Sequence, residues 1–241
     1  MSVHRDKGFT LIEMLVVVAI ILILAAILVP AVGRVIELGR RTNCRSNVRE
    51  IARASIAYAD SPREHRGSTP KFLPAITVSA AIDNRNCMWR PLVIGGYVTA
   101  AVFVCPSVDG AVPANLSNDS SFSDTTCSYS YQSMKGFAVG TRPYSLLKAP
   151  TGMVIVADKS PRTGGTGPYN YAQPNSQNHG QEYNLYVGQN LGAIDGSAVW
   201  NSTAIVATGS NTSDYIFQGG GTGSDDPNGI AGSTEDVFLI P

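Results

Sequence analysis

The chain has 241 residues, a formal net charge of zero at pH 7, and only 15% charged residues. As a whole it offers no electrostatic footprint for nucleic acid, so the composition argues against a DNA- or RNA-binding protein. Beyond the N-terminal region the sequence is rich in Gly, Ser, Thr and Asn, which favours a neutral, hydrogen-bonding surface over that of a cytosolic enzyme.

The first element is an apolar run from Phe9 to Val32 that contains one ionisable side chain, Glu13. A run of this length and composition predicts a helix that crosses a lipid bilayer. Arg5 and Lys7 precede the run, and because positive charges stay on the cytoplasmic side, we expect the rest of the chain to be exported. An ionisable residue inside such a run is costly without a partner, so Glu13 is a candidate functional residue.

Residues 7–32, KGFTLIEMLVVVAIILILAAILVPAV, closely resemble the N-terminus of type IV pilins and type II secretion pseudopilins. Gly8 stands at the family's cleavage position, Phe9 at the first mature residue and Glu13 at the fifth. Pro30 falls where the family often carries a helix-loosening proline. The resemblance implies cleavage after Gly8 by a membrane prepilin peptidase and N-methylation of Phe9. Residues 1–8 would then be a leader, and 9–32 a membrane anchor that later forms the core of a filament.

Glu13 also has an electrostatic interpretation in such a filament. Its carboxylate can pair with the amine of Phe9 on a neighbouring subunit, which replaces two unpaired charges in an apolar bundle by one compensated pair. Glu13 is therefore the predicted assembly residue. The alternative is a plain transmembrane anchor that tolerates a glutamate.

Between Arg34 and about Ala59 the helical pattern becomes amphipathic. Apolar and small side chains recur at spacings of four and three, which predicts one buried face. That face carries Cys44, Val48, Ile51, Ser55 and Tyr58, widened by Ile56 and Ala59, while Arg45, Arg49, Glu50 and Arg53 point away. We expect one helix over residues 9–60 and a globular extracytoplasmic domain over 61–241.

The remaining chain predicts an antiparallel sheet after a proline-rich loop over residues 60–74. Residues 89–98 and 101–107 favour short helix or strand pieces. Asp195 and Gly196 form a hairpin-turn signal between two strands. The predicted strands are SYSYQSM at 128–134, MVIVADKS at 153–160, EYNLYVG, LGAIDG, SAVWNS and TAIVATG. The expected fold class is α+β, with a long N-terminal helix packed on an antiparallel sheet, as in pilins.

A second, looser resemblance covers most of the chain and points to the large pseudopilin-like proteins of planctomycete-type bacteria. It rests on TNCRSNVREIARASIAYA, FVCPS, SYSY, VIVADKS, NHG, AIDGSAVW and the terminal DVFLIP. The sequence departs from that branch in two places: the gap from His179 to Asp195 is longer, and Ser197 replaces the branch's histidine after the Asp-Gly pair.

The four cysteines form no CxxC pair and have no neighbouring histidine at zinc-ligand spacing. Disulfides outside the cytosol are favoured, and four cysteines allow three connectivities. Cys44 and Cys105 both lie in segments seen in the planctomycete-type branch, which favours pairing them and leaves Cys87 with Cys127. The alternative is reduced, buried cysteines.

A metal candidate lies in the C-terminal stretch GGGTGSDDPNGIAGSTEDVFL. The oxygen atoms of Asp225, Asp226, Asn228 and Asp236 match the ligands that calcium takes. The stretch also resembles the acidic C-terminal loop of major pseudopilins, which binds calcium. A solvated Asp/Gly turn is the alternative, since the spacing is not that of an EF-hand. Structural calcium is the one candidate cofactor.

We expect a structural subunit and no enzyme. Asp158, His179, Asp195 and Ser197 suggest a catalytic triad, but the sequence contains no GxSxG, HExxH or phosphate-binding motif. The expected partners are further copies in a helical filament, the prepilin peptidase, an inner-membrane assembly platform and, before assembly, the membrane. The filament would be a type IV pilus at the cell surface or a type II secretion pseudopilus in the periplasm. The alternative is a membrane-anchored extracytoplasmic binding module or exoenzyme.

Overall fold

The computed structural model describes residues 9–61, 85–115, 122–123, 125–132, 152–159, 175–179, 181–182, 185–203, 205–208, 211–215 and 239–240. Only the backbone is described at 85–88, 90, 132, 181–182, 185–186, 205–208, 211–215 and 239–240. The chain divides into two compact units, residues 1–39 and 40–241.

Helix α1 is the longest element and runs from Leu11 to Asp60 without interruption at Pro30. Its first part has the length and apolar composition needed to cross a membrane, and none of the residues in this apolar stretch is buried within the chain. It is the only such helix in the described ranges.

The second part of α1 has the buried face that the periodicity predicts. Ser55 turns its hydroxyl back to the carbonyl oxygen of Ile51 at 2.9 Å, so the one polar side chain on this face is satisfied within the helix. Tyr58 and Ile56 are half-buried. The fully buried positions are Cys44, Val48, Ile51, Ala52, Ala54, Ser55 and Ala59.

Two short helices follow, namely α2 from Arg85 to Ile94 and a 3₁₀ helix from Ala100 to Phe103. They supply the aromatic part of the core. Trp89 packs against Phe103 with ring centroids 5.0 Å apart and against Tyr131 at 5.4 Å. Phe103 in turn contacts Phe122 edge-on at 4.9 Å.

The main sheet has five strands in the described part of the chain. Their bounds are Tyr129–Gln132 for β1, Val154–Asp158 for β2, Gln189–Ala193 for β5, Ala198–Asn201 for β6 and Leu239–Ile240 for β9. The sheet is antiparallel and has the strand order β6-β5-β2-β1-β9. The long helix and this sheet confirm the predicted α+β, pilin-like fold.

Two separate hairpins complete the described strands. The first pairs β3, Gln181–Glu182, with β4, Leu185–Tyr186. The second pairs β7, Ile205–Thr208, with β8, Asn211–Tyr215. The strand predicted over EYNLYVG is therefore two short strands of one hairpin, and β8 was missed because NTSDY has no apolar alternation.

The predicted hairpin turn connects β5 to β6. Gly196 has a φ of 78°, a conformation that glycine adopts without strain. The backbone N–H of Ser197 donates to the Asp195 carboxylate at 2.8 Å, which closes the turn. The Ser197 side chain lowers the pKa of Asp195 most, and this backbone N–H lowers it further, because both hydrogen bonds stabilise the charged form.

Gly192 on β5 lies at a close contact between α1 and the sheet. A Cβ atom at this position would lie 2.7 Å from a methyl group of Val48 on α1, and 2.7 Å from a methyl group of Val156 on β2. It would also lie 3.1 Å from the backbone oxygen of Val48. The helix therefore packs on the sheet at a distance that only glycine permits.

We expect Gly192→Ala to lower the free energy of unfolding by about 1–3 kcal/mol, because the added methyl group overpacks this contact. Chemical denaturation of the full chain in detergent, followed by tryptophan fluorescence, measures the loss. Gly39→Ala is the matched control, since a Cβ there meets nothing within 4 Å. Equal stability of the two variants would contradict the packing described.

Candidate functional site

The start of α1 is organised by Thr10 and Glu13. The Thr10 backbone N–H and hydroxyl both donate to Oε2 of Glu13, at 2.8 Å and 2.7 Å. The Glu13 N–H donates in return to the Thr10 hydroxyl oxygen at 3.3 Å. This reciprocal pair is a capping box, in which an N-cap Thr and a Glu three residues later satisfy donors that the helix leaves open.

The capping box was missed in the sequence although its signal, T-x-x-E before an apolar run, is present at residues 10–13. Glu13 therefore has a partner inside its own chain. Both Thr10 donors bind Oε2 of Glu13. Among the contacts of the described residues none involves Oε1, so this oxygen can accept from a further partner. Phe9 lies just before the cap and is 78% exposed.

The apolar side chains that follow are exposed along the first part of α1. Burying a large aliphatic side chain is worth roughly 1.5–3 kcal/mol, so water is an unfavourable medium for this surface. The exposed fractions run from 48% at Val17 to 82% at Leu11. The large exposed side chains are Phe9, Leu11, Ile12, Met14, Leu15, Val16, Val17, Val18, Ile20, Ile21, Leu22, Ile23, Leu24, Ile27, Leu28, Val29, Val32, Val35, Ile36 and Leu38.

Comparison with known families decides what this segment is. A family described as the prokaryotic N-terminal methylation motif matches residues 3–29. The chain carries a prepilin-type signal. No curated protein and no solved structure matches the chain.

The prepilin-type signal implies processing by a prepilin peptidase, and together with the apolar helix it fits a membrane-anchored precursor. It is the signal of type IV pilins and pseudopilins, and it points to a structural subunit. The match ends at residue 29, inside α1, so it does not test the resemblance over the rest of the chain. Membership of the planctomycete-type branch therefore stays a prediction. Gly8, the predicted cleavage position, lies outside the described residues.

Outside the prepilin-type signal, a buried polar cluster lies where β2 and β5 meet. The side chains of Asp158 at the end of β2 and His179 are both fully buried, with Nε2 3.2 Å from Oδ2. Asn190 on β5 donates to the same Oδ2 from its backbone N–H at 2.6 Å and from its side-chain amide at 3.0 Å. Asn178 donates to Oδ1 at 3.4 Å and to the backbone oxygen of Ser128 at 2.6 Å.

Trp200 packs against His179 of the cluster, and Arg41 packs on Trp200. The His179 ring contacts Trp200 edge-on, with ring centroids 5.3 Å apart. The Arg41 guanidinium carbon lies 4.7 Å above the Trp200 ring, a cation–π contact. The amide of Asn190 also reaches the backbone oxygen of Arg41 at 3.5 Å, so the cluster connects β5 to α1.

The phenol of Tyr129 on β1 interacts electrostatically with the Asp158 carboxylate of the cluster. Burial, followed by the nearby Asp158 carboxylate, raises the pKa of this phenol well above its ordinary value, against a hydrogen bond from Asn47. Asn47 donates to the Tyr129 oxygen at 3.2 Å and to the backbone oxygen of Val104 at 3.1 Å. Tyr129 therefore stays protonated at physiological pH.

The predicted triad residues separate into two environments. Asp158 and His179 lie in the buried cluster, whereas Asp195 and Ser197 are exposed in the β5–β6 turn and bond to each other. No described contact joins one pair to the other.

One of the two disulfides that the resemblance favoured lies in the described part of the chain. Cys44 on α1 forms a disulfide with Cys105, with Cα atoms 5.3 Å apart. Closing a loop of 61 residues restricts the unfolded chain by roughly 4 kcal/mol in the loop-entropy account. Cys127 is buried and its Sγ donates to the backbone oxygen of Tyr129 at 3.3 Å. The side chain of Cys87 lies outside the described residues, so the second pairing stays a prediction.

The predicted calcium ligands also lie outside the described part of the chain. Calcium at Asp225, Asp226, Asn228 and Asp236 therefore stays a prediction.

We expect Asp158→Ala to lower the free energy of unfolding by about 3–5 kcal/mol, because it leaves the buried donors of Asn190 and His179 without their acceptor. Chemical denaturation of the full chain measures the loss. Asp195→Asn is the control, since that carboxylate is exposed and asparagine also closes such turns. A loss for Asp158→Ala no larger than the control's would show that the cluster contributes nothing to stability.

Proposed function

We propose that the chain is a structural subunit that, after cleavage by a prepilin peptidase, self-assembles into a helical filament of the type IV pilus or type II secretion pseudopilus kind. The observation that carries the proposal is the prepilin-type signal at residues 3–29, which includes most of the exposed apolar part of α1. Before assembly the subunit is anchored in the inner membrane. An assembly platform then extracts it, and the filament lies outside the cytoplasm.

The exposed apolar side chains support this proposal. Lipid covers them in the precursor, and the same surface needs a second apolar cover when the subunit leaves the membrane. Copies of the same helix supply that cover, because each presents an equally apolar surface along its first part. A filament with these helices at its centre is therefore the arrangement that keeps the surface out of water at every stage.

Glu13 has a defined role in this assembly. Cleavage after Gly8 creates a new amine at Phe9, and we propose that this amine pairs with the Glu13 carboxylate of a neighbouring copy. The capping box supports the pairing, since it holds Oε2 at the helix start while Oε1 remains for the amine. The pair would compensate two charges in an apolar surrounding, where either one alone is costly.

Glu13 acts in two ways, as a helix cap and as a charge, and two variants separate them. Glu13→Gln removes the charge, whereas glutamine still serves in a capping box. Thr10→Ala removes the cap and keeps the charge, at a cost of about 0.5–2 kcal/mol in helix stability. We expect Glu13→Gln to abolish incorporation into sheared filaments, and Thr10→Ala to leave incorporation in place.

Immunoblots of sheared filaments and of membranes from cells that express each variant provide the measurement. Both variants should still be cleaved and inserted in the membrane. Normal incorporation of Glu13→Gln would refute the charge pairing while leaving the filament proposal standing. Wild-type protein that is cleaved but absent from every filament fraction would refute the filament proposal itself.

A further inference from the structure

The disulfide and the buried polar cluster meet in one place. Sγ of Cys105 lies 3.9 Å from Nε2 of His179, which is itself 3.2 Å from Oδ2 of Asp158. Four buried side chains each place one possible ligand atom in this region, and these four atoms all lie within 4.8 Å of one another. The four residues are Cys44, Cys105, Asp158 and His179. No chain-local spacing reveals this group, since its members come from α1, from the segment after the 3₁₀ helix, from β2 and from residue 179.

We propose that these four side chains form a tetrahedral zinc site when the Cys44–Cys105 disulfide is reduced. Two thiolates, an imidazole nitrogen and a carboxylate oxygen are the ligand types that Zn²⁺ takes. With bonds of about 2.0–2.3 Å, the ligands of a tetrahedral zinc ion lie roughly 3.3–3.8 Å apart. The His179–Asp158 and Cys105–His179 separations already approximate two of these edges.

The surroundings of the four ligands match those of a metal centre. The ligands of metal sites are oriented by hydrogen bonds from neighbouring groups. Here Asn190 donates twice to the Asp158 carboxylate and Asn178 donates once. Asn190 also has a buried side-chain oxygen, Oδ1, that meets no hydrogen-bond partner in the described part of the chain. Full burial excludes water, which strengthens the attraction between a cation and its anionic ligands.

Zinc and the disulfide exclude each other, because two bonded sulfurs cannot serve as two thiolate ligands. Reduction by a phosphine converts the disulfide and one water molecule into two thiols and a phosphine oxide. Zinc then displaces one proton from each thiol, and the imidazole binds through Nε2 with its proton on Nδ1. A newly exported chain carries the thiols before any oxidation, so it needs no reductant to bind the metal.

Cobalt(II) tests the proposal, because it occupies zinc sites and reports thiolate ligands by charge-transfer absorption and tetrahedral geometry by intense visible bands. The full chain in detergent is reduced with a phosphine without oxygen and titrated with Co²⁺, then with Zn²⁺. We expect one cobalt per chain, displaced by zinc, and no such bands in the oxidised chain. A reduced chain without these bands, including one that loses its fold and does not regain it with metal, overturns the proposal.

Matched variants identify the ligands. Cys87→Ser/Cys127→Ser removes two thiols from outside the site and should keep the cobalt bands, whereas Cys44→Ser/Cys105→Ser should lose them. His179→Gln and Asp158→Asn should weaken binding by about tenfold or more, and Asp195→Asn should not. Bands that persist in Cys44→Ser/Cys105→Ser, or affinities unchanged in both His179→Gln and Asp158→Asn, assign the metal to other groups and overturn the proposal. This test is independent of filament assembly.

Discussion

The packing of α1 against the β2–β5 region of the sheet is the interaction on which the globular unit depends. A Cβ atom at Gly192 would lie 2.7 Å from a methyl group of Val48 on α1 and 2.7 Å from a methyl group of Val156 on β2, so a larger side chain does not fit without a shift. The Cys44–Cys105 disulfide and the polar cluster around Asp158 lie in the same region of the core. The second part of the helix is thus buried against the sheet, whereas the large apolar side chains of its first part are exposed.

Periodicity and composition were sufficient for the elements that obey one simple rule. The apolar run, the buried face from Cys44 to Ala59 and the strand at Val154–Asp158 follow directly from the spacing of apolar residues. The Asp195-Gly196 turn follows from local backbone chemistry. The capping box at Thr10 and Glu13 is equally local, since its T-x-x-E signal stands directly before the apolar run.

The polar cluster could not be predicted in the same way. Asp158, His179 and Asn190 are far apart in sequence, and each alone is an ordinary polar residue beside a strand or turn. Their convergence depends on the register of β2 with β5 and on the placement of residues 175–179. Strand β8 was missed for a different reason, because its polar sequence contains no strand pattern and its pairing with β7 decides its conformation.

The mass of the mature N-terminus tests the central claim most directly. Protein is isolated from membranes and from sheared surface material of the native cells, digested, and its N-terminal peptide is measured by mass spectrometry. We expect a peptide that begins at Phe9 and carries a methyl group on its amine, in both fractions. A peptide that begins at Met1 or Ser2, or a new N-terminus beyond the apolar run, would contradict the assignment of a prepilin-type subunit.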